Sequence, residues 1–118
     1  MPKSSLKERG VGLDLVFHAL ADPTRRSVVE RLGHGPAATS VLAEPYPMAL
    51  PSFIQHLDVL ERSGLVASHK QGRVRTYALV PGRIVDAQDW LAAQRDLWTR
   101  RLDQLDDFLT TTPKEHPA

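Results

Sequence analysis

The chain has 118 residues, a net charge of +1 with histidine neutral, 42% hydrophobic residues and no cysteine. That length suits one domain with a modest core, the apolar content argues against global disorder, and the missing thiols exclude disulfides, cysteine-bound zinc and thiol nucleophiles. No apolar run approaches the roughly 20 residues of a membrane-spanning helix, and the first residues lack a secretory h-region, so the expectation is a cytoplasmic protein with no membrane partner.

Residues 1–12 are polar and expected to be flexible. Over 13–21, Leu13, Val16, Phe17 and Leu20 recur at helical spacing. Asp22-Pro23 reads as an N-cap followed by a first-turn proline, which predicts a helix over 23–32 with Val28, Val29 and Leu32 inward. Gly33 and Gly35-Pro36 stop it. A short helix is expected over 37–44, and "EPYP" (44–47) breaks the chain again.

Pro51 suits a helix start, where its missing N–H costs nothing. The predicted helix, 51–63, carries Phe53, Ile54, Leu57 and Leu60 on one side, with Ser52, Gln55, His56, Val59 and Arg62 around the rest. Phe53 reads as core, while Ile54 is open between core and a contact with a thymine methyl. Gly64 follows as a C′ glycine. Residues 65–70 and 73–79 read as a hairpin, given Gln71-Gly72 between them and the strand formers Val74, Thr76 and Tyr77. Pro81-Gly82 is expected to close it.

The longest predicted element is a helix over 83–109. Ile84, Leu91, Trp98 and Leu105 recur every seven residues, and Trp90, Leu97, Leu102 and Leu109 fill the neighbouring rows. A domain this small has little core to cover so wide a stripe, so a partner helix is expected in preference to packing on its own domain. The resulting division is a flexible start (1–12), a core (13–82), a dimerisation helix (83–110) and a disordered tail (111–118).

Charge is segregated along the chain. Between Leu50 and Arg83, Arg62, Lys70, Arg73, Arg75 and Arg83 outnumber Asp58 and Glu61. Between Ile84 and Leu109, six aspartates outnumber Arg95, Arg100 and Arg101. A hairpin tip holding Lys70, Gln71, Arg73 and Arg75 repels itself in isolation but gains affinity beside a phosphate backbone by displacing counterions. Short helices, then a proline-started helix, then a basic hairpin describe a fold that is mainly α with a small β-hairpin, a winged helix-turn-helix whose second motif helix enters the major groove. Ser52, Gln55 and His56 lie in the first turns of that helix and Arg62 in its last. Glutamine pairs bidentately with adenine and serine is a versatile donor or acceptor. His56 is open between a DNA contact and a half-buried group that orients the helix. Arg25 and Arg26 are open between phosphate contacts and plain surface charge or ion pairs.

"LADPTRRSVVERL" (20–32), "LPSFIQHLDVLERSGLV" (50–66) and "GRVRTYAL" (72–79) together resemble the ArsR/SmtB family of bacterial winged-helix repressors, and "WLAAQRDLWTRRLDQLDDFL" (90–109) resembles a branch that usually carries no metal site. The resemblance covers roughly residues 13–109. It implies a homodimer on a near-palindromic double-stranded DNA operator, repression of transcription, and an interface made by the first and last helices, hence by Leu13, Phe17, Trp90, Leu91, Leu97, Trp98, Leu102 and Leu105.

Metal-sensing members of that family carry a Cys-x-Cys pair that falls here at Ala38 and Ser40, neither of which binds soft metals. A second family site uses aspartate and histidine on the last helix, which here has no histidine. No metal or other cofactor is therefore expected, and a small-molecule inducer, with a pocket beside Trp90 and Trp98, is left open. There is no G-x-S-x-G, Gly-rich phosphate loop or H-E-x-x-H, and Asp103, Asp106 and Asp107 read as a solvated helix face, so no enzyme is expected. The competing reading is a winged-helix protein–protein module without DNA binding.

Overall fold

The computed structural model describes residues 12–111. The expected flexible start and tail lie outside the described residues except at Gly12 and Thr111, which are helical. The elements are α1 (12–20), α2 (Pro23–Leu32), β1 (Ala37–Ala38), α3 (Thr39–Ala43), α4 (Leu50–Arg62), β2 (Val66–Gln71), β3 (Val74–Leu79) and α5 (Pro81–Thr111).

Helix α1 buries Val16 and Ala19 completely, with Leu13 and Leu20 half-buried beside them. Phe17, expected on the same face, lies a quarter turn off this stripe and is 38% exposed. Helix α2 begins as the sequence predicts. Asp22 is extended (φ −106°, ψ 132°), and its Oδ2 accepts a hydrogen bond from the Arg25 backbone N–H at 2.9 Å. This satisfies one of the donors orphaned at a helix start.

The expected helix over 37–44 is shorter. Ala37 and Ala38 are extended and pair antiparallel with Tyr77 and Thr76 of β3, so the hairpin is part of a three-stranded sheet of order β1-β3-β2. Alanine favours helix locally, but hydrogen-bonding an open strand edge outweighs so weak a preference. The following helix, α3, has no side-chain cap at its N-terminus. Its carbonyl end is held from α2, where Arg31 donates to the carbonyls of Leu42 and Val41 at 2.7 and 3.1 Å.

Helix α4 starts one residue before Pro51 and ends at Arg62. Gly64 takes φ +82°, while the Leu65 N–H reaches the Leu60 carbonyl and the Gly64 N–H reaches that of Glu61. This pair of bonds is a Schellman ending, which a glycine at C′ makes inexpensive. Strands β2 and β3 pair from Val66↔Leu79 to Gln71↔Val74. Only Gly72 and Arg73 link them. Gly72 has φ +64° and Arg73 no positive φ, the pattern of a type II′ hairpin turn with glycine first. Pro81 opens α5 rather than closing the hairpin, which ends with Val80 donating to the Leu65 carbonyl at 2.9 Å. Proline at a helix start loses no bond.

The core joins Val16, Val28, Leu42, Phe53, Leu57, Leu60 and Leu65, all at 1% exposure or less, with Tyr77 from β3 and Ala87 from the start of α5. The Tyr46 and Phe53 rings stack at 5.1 Å. The chain divides into two units, 1–87 and 88–118, with the division inside α5. In the second unit Leu91, Leu97, Trp98, Leu102, Leu105, Phe108 and Leu109 are each more than 40% exposed.

Burial pushes the Asp22 carboxyl up, but the Arg25 N–H and the charges of His56 and Arg25 outweigh it and hold the group below its ordinary value. Asp22→Ala is expected to lower stability by about 1 kcal/mol, the usual worth of an N-cap. The folded value lies below the unfolded one, so this stabilisation is present above about pH 4 and is lost as pH falls through the folded value. Denaturant melts of the two proteins at neutral and acid pH check both statements.

Candidate nucleic-acid interface

The orientation of α4 is set by its apolar stripe. Phe53, Leu57 and Leu60 are buried at positions i, i+4 and i+7, which fixes the rotation of the helix about its axis. Gln55 and Arg62 then fall seven residues apart on the opposite side and are exposed. Ser52 is exposed on one flank. The Arg62 Nε donates to the Asp58 carbonyl at 3.4 Å, in the last turn of the helix. Ile54 is 37% exposed and Leu50 52%. Ile54 thus leaves the core to Phe53 and joins the accessible side.

His56 shares the flank of Ser52 but turns toward α2. Its Nδ1 lies 3.1 Å from Nη1 of Arg25 and 3.8 Å from Oδ2 of Asp22. Arg25 also donates through Nε to the Ala19 carbonyl at 2.8 Å and through Nη2 to that of His18 at 3.1 Å. Arg26 donates to the Leu20 carbonyl at 2.7 Å. The two arginines therefore close the carbonyl end of α1, where positive charge is favourable. Arg25 in addition joins α1, α2 and α4.

Across from α4 stands the wing. Lys70, Gln71, Arg73 and Arg75 are all exposed, and Lys70 sits directly opposite Arg75 in the β2–β3 ladder. Like charges in that position destabilise a hairpin. The cost is partly offset because Arg75 leans on β2 and donates from Nη1 to the Ser68 hydroxyl at 2.8 Å. Ser68 in turn donates its hydroxyl to Glu61 of α4 at 2.8 Å, and its N–H at 3.3 Å. The relay Arg75–Ser68–Glu61 ties the wing to the last turn of α4. Only one guanidinium N–H is used, so the rest of Arg75 can address an anion.

Between the two walls runs a groove of about 680 Å³, with Leu50, Ile54 and Asp58 on the α4 side and Lys70, Arg73 and Val74 on the wing side. Tyr77 lies at its base. Burial, and next the Glu61 carboxylate, push the Tyr77 phenol above its ordinary value, so it stays a neutral hydroxyl. Neither Trp90 nor Trp98 lines this groove. Among the described residues no group of three or more His, Cys, Asp or Glu is placed to hold a metal ion, and no helix is long and apolar enough to cross a membrane.

The structure thus places Lys70, Arg73 and Arg75 on the wing side of the groove, leaves Ser52 and Gln55 exposed on α4 but outside the groove lining, and points His56 into the α1–α2 junction. The residues that the sequence reading missed are Ser68 and Glu61. Strand alternation from Val66 places Ser68 on the inward side of β2, a signal available in the sequence once the register is known. Of the expected interface residues, Leu13 is half-buried against its own core, whereas Phe17, Trp90, Leu91, Leu97, Trp98, Leu102 and Leu105 are exposed.

The short-helix pair α3–α4, set between the strands of a three-stranded sheet that ends in a basic hairpin, defines a winged helix-turn-helix protein. A family model described as a helix-turn-helix domain matches residues 20–69. The HTH-type transcriptional regulator Rv2034 of Mycobacterium tuberculosis is 42% identical over 92 residues, covering 75% of this chain and 80% of the relative. The transcriptional repressor SdpR of Bacillus subtilis is 30% identical over 76 residues, covering 64% of this chain and 84% of SdpR. A crystal structure of an ArsR family transcriptional regulator superposes with a TM-score of 0.71 at 50% identity, covering 79% of this chain and 93% of that one. The chain belongs to the ArsR family of winged helix-turn-helix transcriptional regulators.

Ser68→Ala removes the hydroxyl that bridges Arg75 and Glu61. The expected cost is about 1 kcal/mol, at the low end for hydrogen bonds to charged groups because the site is partly exposed. Amide hydrogen exchange is expected to rise selectively in β2 and β3 while α2 and the core of α4 keep their protection.

Proposed function

We propose that this chain is a repressor that binds an inverted-repeat DNA operator as a homodimer. The observation that carries the reading is the wing. Lys70 and Arg75 face each other in the ladder and Arg73 stands at the turn, an arrangement that repels itself in the free protein and is relieved beside phosphates. The exposed cations of the wing give the backbone of one strand a place to run. Ser52 and Gln55 then meet base edges in the major groove, and Ile54 offers an apolar contact to a thymine methyl. Arg62, Lys70, Gln71, Arg73 and Arg75 hold the sugar–phosphate backbone and set register without reading sequence. His56 acts through α2 by orienting the helix.

The exposed apolar residues of α5, together with Phe17 of α1, form the dimer interface in this reading. Two-fold symmetry then presents two reading helices to half-sites one helical turn apart, roughly 34 Å. A relative named as a repressor supports the sign of regulation, which acts by occupying a promoter. The site of action is the cytoplasm, where the DNA lies.

The experiment that tests the reading is a titration of purified protein against its own upstream DNA, competed with random duplex over a range of salt. Protection of an inverted repeat by two protomers is expected. Lys70→Ala with Arg73→Ala is expected to weaken specific and random binding alike and to lower the salt slope by about one for each phosphate no longer neutralised. Equal, weak binding to both DNAs by the unaltered protein overturns the reading and favours a protein partner.

Leu105→Glu places a charge in the apolar stripe of α5. Sedimentation equilibrium is expected to show the parent chain as a dimer and the variant shifted to monomer, with operator affinity falling in parallel. A parent chain that sediments as a monomer at micromolar concentration removes the dimer.

A further inference from the structure

His56 is on the reading helix but bonds the beginning of another helix, and the chemistry of that bond is restrictive. A guanidinium has only donors. The 3.1 Å contact between Arg25 Nη1 and His56 Nδ1 is therefore a hydrogen bond only while Nδ1 carries no proton and the ring is neutral with its proton on Nε2. Arg25 is not at liberty to move aside. Its Nε and Nη2 hold the carbonyls of Ala19 and His18, and its backbone N–H is the donor to the Asp22 cap.

A proton on Nδ1 turns the donor–acceptor pair into two donors and two positive charges. The groups that the structure brings to the ring are Arg25 and Asp22 at the start of α2; α1 contributes the carbonyls of His18 and Ala19, which Arg25 already occupies. On α4 itself the neighbours one turn away, Ser52 and Leu60, are uncharged. Asp22 stands 3.8 Å from Nδ1 with the same Oδ2 that caps α2. Its charge attracts the imidazolium, but at 3.8 Å it stands beyond hydrogen-bonding distance and does not replace the 3.1 Å bond to Arg25. The side chain of His56 keeps 23% exposure, so the ring is open to solvent in the folded protein.

We propose that His56 is a positioning residue for operator binding and a pH-sensitive one: the neutral ring clamps α4 to the start of α2, and its protonation releases the clamp and lowers operator affinity as pH falls. The proposal rests on the DNA-binding reading above. General electrostatics act in the opposite direction, because histidines gaining charge strengthen attraction to phosphates. A loss of affinity on acidification therefore separates the clamp from simple charge.

The test compares the chain with His56→Asn, whose Oδ1 replaces Nδ1 as an acceptor for Arg25 and does not titrate. Operator affinity is measured by fluorescence anisotropy from about pH 8 to about pH 5.5, the range in which imidazoles gain charge. The two proteins are expected to agree within about twofold at high pH. The dissociation constant of the parent chain is expected to rise relative to the variant by roughly fivefold at low pH, the size of one hydrogen bond. Parallel curves overturn the proposal. Alongside this, nitrogen NMR of the His56 ring is expected to show Nδ1 unprotonated near neutral pH, with amide exchange in α4 rising as the ring gains its proton. A protonated Nδ1 near neutral pH, or exchange in α4 that ignores the titration, also overturns it. Loss of operator affinity at every pH removes the DNA reading itself, and the ring titration and the exchange then decide the clamp without DNA.

Discussion

Burial of one stripe of α4 governs the geometry of the whole domain. Phe53, Leu57 and Leu60 are withdrawn from water almost completely, and each contributes on the order of 1.5–3 kcal/mol of hydrophobic stabilisation. Their spacing allows the helix a single rotation about its axis. Everything polar on α4 is placed by that rotation. Gln55 and Arg62 face away from the core, Ser52 and His56 share a flank, and Glu61 meets the wing. The proposed insertion of α4 into a DNA groove relies on this anchor, because base contacts depend on rotation as much as on residue type.

Around the anchor, polar contacts bind the neighbouring elements to α4 at its middle and at its last turn. Arg25 gathers the end of α1, the cap of α2 and His56 at the middle of α4. The Arg75–Ser68–Glu61 relay joins the wing to the end of the same helix. Both arrangements use charged groups at the margin of the core, where solvent limits their individual worth. They contribute direction more than stability. The core holds the domain together, and the two sets of contacts define how α2 and the wing are held against α4.

The sequence carried its strongest signals where the physics is local. Asp22-Pro23 announced the start of α2 and Gly64 the end of α4, because caps and left-handed residues are properties of a few consecutive positions. Gly72 marked the tip of the wing for the same reason. It was less informative where an extended segment is chosen by a distant partner. Ala37 and Ala38 have helical propensity and became a strand because β3 offered an open edge. Pro81 read as a turn residue closing the hairpin, and only the path of the chain after Val80 makes it a helix start.

A small helical domain with a basic hairpin, a reading helix whose apolar stripe defines its exposed side, and a last helix too apolar for its own surroundings are all legible in the order of residues. Periodicity and composition suffice for these, since each is a property of one element. Which polar groups meet is a matter of packing. That His56 accepts from an arginine 31 positions earlier, that Ser68 bridges the wing to Glu61, and that Lys70 faces Arg75 across the ladder all follow from strand register and from the approach of elements distant along the chain. Hydrogen bonds are short and directional, so such pairings exist only once the folded chain has brought both partners to within about 3 Å of each other.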